Sequence, residues 1–443
     1  MDEGSRGATP DGTGGRTAGP SAAPPPETAL STASVRGLYV VAAVTMGGVS
    51  TVFALLAELQ DRYRLETRSL GWIAGAAFAA ALVTQLSLSR YADRGHARLI
   101  LRVGVLASGC GLLWFAVATE LWQFVAARAL LGAGVGMLVP PARRAILLAS
   151  NGNPGELLGT FYAAYLAGFV FGPPIGGVLT ELGDVRLPFA VFGVAVLVML
   201  VPIARMEMTE ARGEELAAAV ADRRVLRRLI TTRRVLAAAL VVVSFRYSIG
   251  VFEPLWATHL DRLGASTMVV TLSLTGFALP MLLVARRAGA LSDRYGPRFT
   301  SVISALATVP LMASYGVLTS VPLIVLLVIP HGLLEAVQSP GTQAALAEAA
   351  PKRDAASAQG LGEAAGSAAA AIGAFTSAPL YDWAGAGTAW AVAGLIMFGL
   401  LSTSALLERP RRRVALAEDA ALPSRPDLPS VASGPVNAAA IEP

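Results

Sequence analysis

Ionisable and amide side chains are sparse along the apolar stretches of this chain, and their spacing gathers several of them onto shared helical faces. His331, Glu335 and Gln338 form one such stripe, and Gln359, Glu363 and Ser367 form another amid Gly360, Gly362 and Gly366. Arg246 and Glu253 return to within about 20° of the same face yet stand about 10 Å apart along the axis, so each is expected to pair with another helix. Arg128 lies about a third of the way into a further apolar stretch, where an unpartnered guanidinium costs about 2.5 to 3.5 kcal/mol unless it faces a cavity or a partner. A carboxyl group in a low-dielectric setting favours its neutral form, which suits a group that must load and unload a proton. Glu335, near the middle of its stretch and one turn from His331, is the first candidate for that role. Glu253 and Glu363 sit nearer opposite ends. Tyr162, Tyr165 and Phe169 share a face that suits stacking of a flat ligand, and the same pattern suits ordinary helix packing equally well.

Other chemistry has little support. His96, His259 and His331 fall in three different regions, and no nucleophile–base constellation, metal-spaced cluster or phosphate loop occurs. No catalytic residues, metal or organic cofactor are expected, and the only coupling species the residues suit is the proton. Cys110 is the single cysteine, so no intramolecular disulfide can form.

The elements that must hold these residues are membrane helices. Apolar residues make up 54% of the chain and charged residues 15%, against roughly 25% charged in soluble domains. A span needs about 20 apolar residues. Twelve are read at 37–59, 69–89, 99–118, 122–142, 157–180, 187–205, 235–258, 267–288, 300–319, 321–345, 357–381 and 388–407. Pro310, Pro322 and Pro330 interrupt the ninth and tenth, but an internal repeat supports the count. An offset of 200 pairs Asp93 and Arg94 with Asp293 and Arg294, Gly132 with Gly332 and Pro140 with Pro340; an offset of 201 pairs Gly172 with Gly373. Two six-helix halves around one internal cavity are expected. The fold class is therefore an all-α polytopic membrane protein with two pseudo-symmetric six-helix bundles.

Cations flanking short loops stay cytoplasmic. With the N-terminus inside, 25 Arg and Lys residues fall on the cytoplasmic side, against five outside: Arg62, Arg64, Arg68, Arg186 and Arg262. The formal charge of +5 is thus a topology signal, and no nucleic-acid partner is expected. The division is an N-terminal arm at 1–35, a first bundle at 36–205, a central cytoplasmic segment at 206–234, a second bundle at 235–408 and a tail at 409–443. Both arms have the Gly-, Pro- and Ala-rich composition of disordered segments, and no cleavable signal peptide is evident. In the central segment Arg223, Arg224, Arg227 and Arg228 oppose Val225, Leu226, Leu229 and Ile230 on a helical wheel. That pattern fits an interfacial helix or a linker helix packed on the bundle.

Several motifs resemble those of the major facilitator superfamily. Gly289, Asp293, Arg294, Gly296 and Arg298 fit its loop pattern G-x-x-x-D-R-x-G-x-R throughout, and the first copy, with Asp93, Arg94 and Arg98, has Ser89 and His96 in place of Gly. The resemblance implies that each Asp latches a neighbouring helix end. Arg128, Gly132, Gly134 and Gly136 resemble a fourth-span pattern whose Arg is linked to proton coupling. Gly168, Gly172, Pro173, Gly176 and Gly177 fit the fifth-span pattern G-x-x-x-G-P-x-x-G-G, which marks the drug/proton antiporter branch. The resemblance implies a monomeric, multi-pass transporter of the cell membrane, with both termini cytoplasmic, exporting a small amphipathic compound in exchange for protons. Arg128, His331, Glu253, Glu335 and Glu363 are then the coupling candidates, and Arg246, Tyr162, Tyr165, Phe169, Gln338 and Gln359 the cavity candidates. A proton symporter of the same fold remains open, because the first span lacks the proline-bearing pattern common in antiporters, as does a sensor that has lost transport. The charge bias predicts that a topology reporter fused at Val220 is active only in its cytoplasmic form; periplasmic activity there would overturn the orientation.

Overall fold

The computed structural model describes residues 32–91, 96–148, 154–206, 223–351 and 354–408. Residues 1–31, the tail from 409, most of the central segment and the loop residues Asp93 and Arg94 lie outside the described residues, and 32–35, read as part of the arm, open the first helix. The described chain runs α1 (Thr32–Ala54), α2 (Leu56–Tyr63), α3 (Thr67–Tyr91), α4 (Ala97–Val117), α5 (Leu121–Leu148), α6 (Pro154–Leu182), α7 (Leu187–Val198) and α8 (Leu200–Arg205). It continues with α9 (Arg223–Thr231), α10 (Arg233–Arg262), α11 (Thr267–Tyr295), α12 (Pro297–Tyr315), α13 (Val321–Ala349) and α14 (Ala355–Glu408).

Among the described residues, 10 helical segments are long and apolar enough to cross a bilayer, with α7 and α8 forming one of them. The longest of them contains two crossings, because Gly385, at φ 82° and ψ 171°, bends α14. Only glycine adopts that conformation without strain. The 19-residue α12 supplies the remaining crossing, so twelve result. Its hydropathy is diluted by Thr300, Ser301, Ser304 and Thr308, whose side chains are buried inside the bundle.

The sequence repeat reappears as repeated contacts. A Cβ on Gly132 of α5 would stand 2.3 Å from the Ala77 carbonyl oxygen of α3, and one on Gly332 of α13 would stand 1.9 Å from that of Phe277 on α11. Likewise Gly172 of α6 meets Gly47 of α1, and Gly373 of α14 meets Tyr247 of α10. Glycine is retained at these offsets because equivalent helices touch backbone to backbone in each half, the usual way for membrane helices to gain packing contact.

One apolar core, from Leu38 to Met206, belongs wholly to the first half. The other, centred on Phe252, Trp256, Tyr315 and Trp390, also recruits Phe53, Ala54, Ala57, Leu166 and Val170 from the first half. The halves therefore share a core at one end of the molecule. We call that end, remote from Thr32 and Glu408, the first and last described residues, the distal end, and the opposite end proximal.

These contacts predict that Gly332→Ala lowers the melting temperature of the detergent-solubilised protein by several degrees, because the Phe277 backbone has nowhere to go. Gly399→Ala, where nothing lies within 4 Å of a new Cβ, should leave it unchanged or raise it, since alanine is favoured in helices by about 1 kcal/mol. Equal melting temperatures for the two variants would contradict the close approach.

Candidate functional site

The distal end is closed by polar contacts between the halves. The Arg68 backbone N–H donates to Asp382 Oδ2 at 2.8 Å, Thr267 Oγ1 to Glu58 Oε2 at 2.8 Å and Thr258 Oγ1 to Gln60 Oε1 at 3.2 Å. Arg262 reaches Thr67 across the same boundary and pairs with Asp382 at 3.4 Å. Proximally, the described contacts between halves are thinner: Tyr162 with Ser339 at 3.3 Å and Ser367 with Gln85 at 3.4 Å.

The fifth-span motif lies on this boundary. Gly168, Gly172 and Gly176 of α6 pack against Ala43, Gly47, Ser50 and Thr51 of α1, while Gly177 faces Thr271 of α11, in the other half. Thr51 Oγ1 donates to the Gly172 carbonyl at 2.9 Å. Pro174, which follows Pro173, has no N–H to offer the carbonyl of Val170 four residues earlier. That carbonyl instead accepts from Thr275 Oγ1 of α11 at 2.9 Å. The freed acceptor thus becomes a bond between halves, a role that sequence reading, with attention on Pro173, had missed.

Deeper in the same boundary, Arg128 of α5 is hydrogen-bonded and ion-paired to Glu253 of α10, with side-chain exposures of 2% and 8%. The pair joins the first half to the second. Arg246, on the same face of α10 as Glu253, instead faces Glu363 of α14 at 3.8 Å, and both are partly exposed. Each of the two α10 charges therefore pairs with a different helix.

Glu335, His331 and Gln338 are all buried on α13. His331 Nε2 stands 3.5 Å from Glu335 Oε1, within ion-pair range but without hydrogen-bond alignment. Its Nδ1 meets the Tyr315 hydroxyl at 3.0 Å. The rings of Phe252, Phe277 and Tyr315 enclose the imidazole, with centroids 5.3 to 5.8 Å away. His259, far away in sequence, joins the same assembly: its Nε2 lies 2.8 Å from the Tyr315 carbonyl and its Nδ1 3.0 Å from the Tyr381 hydroxyl. A carbonyl only accepts, so Nε2 carries the hydrogen and, in the neutral ring, Nδ1 accepts from Tyr381. Two histidines assigned to separate regions of the sequence thus meet one tyrosine. No local signal links them, because the contacts run between helices.

The remaining candidates divide. Tyr162 and Tyr165 stack at 6.3 Å, with Tyr162 next to Ser339 of the other half, whereas Phe169 packs towards Phe53 in the shared core at 6.3 Å. Gln359 donates to the Gln343 carbonyl at 2.6 Å, and Gln343 donates to Glu363 at 3.0 Å. Gln338 Nε2 is buried without a hydrogen-bond partner among the described residues. In the second motif loop Gly296, at φ 89°, separates α11 from α12, whereas a Cβ on Gly289 would meet nothing within 4 Å. Arg298 pairs with Glu408 and reaches Ser404 at 3.4 Å. Asp293 is exposed and forms no hydrogen bond or ion pair among the described residues. Arg294 lies over the Tyr295 ring at 5.3 Å, and Arg98 Nε is buried without a partner among the described residues.

Two matched helical bundles, in contact at one end and joined by a buried charge pair, define a multi-pass helical membrane protein of two halves. The chain belongs to the Major Facilitator Superfamily, whose family model matches residues 38–261 and 235–436. Curated relatives include the multidrug resistance protein MdtG of Serratia proteamaculans, 26% identical over 50% of this chain and 56% of the relative, and that of Enterobacter lignolyticus, 28% identical over 50% and 54%. The chain thus spans little more than half the length of these relatives. Among solved structures, a variant of the nucleoside transporter NupG has a TM-score of 0.70 at 12% identity, covering 85% of this chain and 100% of that one. A bacterial homologue of the lysosomal transporter Spinster, inward-facing and unoccupied, has a TM-score of 0.68 at 13% identity, covering 84% and 94%. At these identities the likeness is one of fold.

Removing one member of a buried ion pair costs about 3 to 5 kcal/mol, whereas replacing both with apolar groups is often neutral. Arg128→Met should therefore destabilise the purified protein strongly, and Arg128→Met with Glu253→Leu should recover most of the loss. A double variant as unstable as the sum of the two singles would show that the two side chains do not act as a pair.

Proposed function

We propose that this protein is a secondary active transporter that exports a small amphipathic compound, a drug or natural product, in exchange for protons by alternating access. The observation that carries the reading is the Arg128–Glu253 pair: a titratable carboxylate, buried on the boundary between halves, with its counter-ion in the opposite half. The charge state of Glu253 sets how strongly α5 and α10 are held together at that depth, which ties proton movement to the opening and closing of the boundary. The fifth-span motif and the likeness to relatives named as multidrug resistance proteins support the antiport direction. One proton moving down 100 mV releases about 2.3 kcal/mol, enough for roughly a 50-fold gradient of an uncharged substrate.

In this reading the proximal end faces the cytoplasm, with both termini and the central segment, and the two bundles occupy 36–205 and 235–408 of the inner or plasma membrane. The crevice between Tyr162, Tyr165, Arg246 and Gln359 takes the substrate. Glu335 and His331 form a second proton-loading group inside the second bundle. The loops around Asp93 and Asp293 gate the cytoplasmic side. Neither a cofactor beyond the proton nor a second copy of the chain is required.

The test uses inverted membrane vesicles and a set of fluorescent amphipathic compounds of either charge. The parent protein should drive uphill accumulation and release protons as substrate is added. Glu335→Gln keeps shape and hydrogen-bonding capacity but cannot titrate, so it should abolish accumulation while binding persists. Accumulation against a gradient with normal proton release would remove Glu335 from the mechanism and leave Glu253 or Glu363. Loss of binding as well would make Glu335 a direct substrate ligand, and an absence of proton-driven accumulation by the parent protein would reject export altogether.

A further inference from the structure

Arg246 is poorly satisfied for a guanidinium inside a membrane helix. It carries five N–H donors, yet its nearest anion is Glu363 Oε2 at 3.8 Å, beyond hydrogen-bond length. Its Nε is buried with no hydrogen-bond partner among the described residues. Glu363 is better served, because Gln343 Nε2 donates to it at 3.0 Å. What this site lacks is acceptors. Its charge tilts the same way: Tyr165 lies within electrostatic reach of Arg246, Arg143 and Glu363, two cations and one carboxylate.

The site is also built to present the guanidinium. Gly366 of α14 lies under the Arg246 stem, and a Cβ there would stand 2.7 Å from Arg246 Cγ. The side chain is 29% exposed, at mid-span and on the boundary between halves. Tyr162 and Tyr165, stacked with their planes 14° apart, offer an aromatic wall from the opposite half.

We propose that Arg246 receives an anionic group, a carboxylate or its phosphonate or sulfonate equivalent, on a substrate whose apolar or aromatic body lies against Tyr162 and Tyr165. The substrate class is therefore amphipathic organic anions. Glu363, at 3.8 Å, holds the place of that group loosely enough to yield it, and a bidentate carboxylate then fills two donors that Glu363 leaves idle. This rests on the reading of the crevice as the substrate cavity and requires no particular direction of transport.

The experiment measures binding to the purified protein in phosphatidylcholine nanodiscs, without any gradient. The probes are 2-naphthoate, 2-naphthylmethanol and 2-naphthylmethylammonium, which share one ring system and differ in charge. The carboxylate should bind at least about tenfold tighter than the other two, as expected for a charge-assisted bidentate contact. Arg246→Gln should erase that preference and Arg246→Lys should keep part of it, because a point charge remains without the planar fork. Glu363→Gln, which removes the competing carboxylate, should tighten 2-naphthoate several-fold. Preference for the ammonium, binding of none of the three, or a carboxylate preference intact in Arg246→Gln would overturn the proposal. Carboxylate preference without proton-driven accumulation in vesicles would sink the export reading alone, and proton-driven accumulation of the ammonium probe in preference to the carboxylate would sink this one alone.

Discussion

The constraint on which the rest of this structure depends is that Arg128 and Glu253 must neutralise each other where water does not reach them. The pair is buried and belongs to different halves, so separating the halves at that depth means separating the charges. The penalty of a buried, unpaired charge is several kcal/mol, larger than a typical contribution from any one of the polar contacts at the distal surface. Those contacts, between Arg68, Glu58, Thr67 and their partners, add direction and register. Water, salt and exposure weaken them, whereas the inner pair is shielded from all three.

Glycine sets how closely helices within the first half approach one another. Gly168, Gly172 and Gly176 let α6 lie on the backbone of α1, and Gly132 and Gly136 do the same for α5 on α3. Close helix pairs of this kind pack each half tightly on itself. At the boundary between halves the Val170 carbonyl is bonded by Thr275 of the other half, because Pro174 leaves it without a helical donor. A bond of this kind can be exchanged for water or another donor without unravelling α6, which makes it suited to a surface that closes and opens.

Much of this was legible in the sequence. The repeat offsets located equivalent glycines, and the structure places each pair at the same kind of helix crossing. Twelve spans were readable from apolar length, although the last two form one bent helix whose corner rests on Gly385. The seven-residue separation of Arg246 and Glu253 correctly implied different partners, because axial distance along a helix follows from counting residues. Which partners they find did not follow. Arg128 and Glu363 are 125 and 117 positions away in the chain, and only the packing of three helices brings them in. The same holds for His259 and His331, which share Tyr315 through interhelical contacts that leave no periodic trace.

Glu253 and Glu335, the buried carboxylates on α10 and α13, differ in what their neutralisation can move. Glu253 faces a cation of the opposite half, so its charge acts directly on the boundary. Glu335 faces His331 on its own helix, and His331 faces Tyr315 of the neighbouring helix in the same half. Any change there must travel through packing. A route exists, because Phe252 touches the His331 ring on one side and Phe53 of the first half on another, with centroids 5.6 and 6.1 Å apart. Phe252 also sits one residue before Glu253, so an imidazole that changes hydrogen-bond partners and a carboxylate that loses its charge press on the same turn of α10. In the proposed cycle that turn is where proton loading inside the second bundle and the charge pair between bundles become a single event. Among the described residues, the first half meets that turn through Arg128 and the aromatic edge of Phe53.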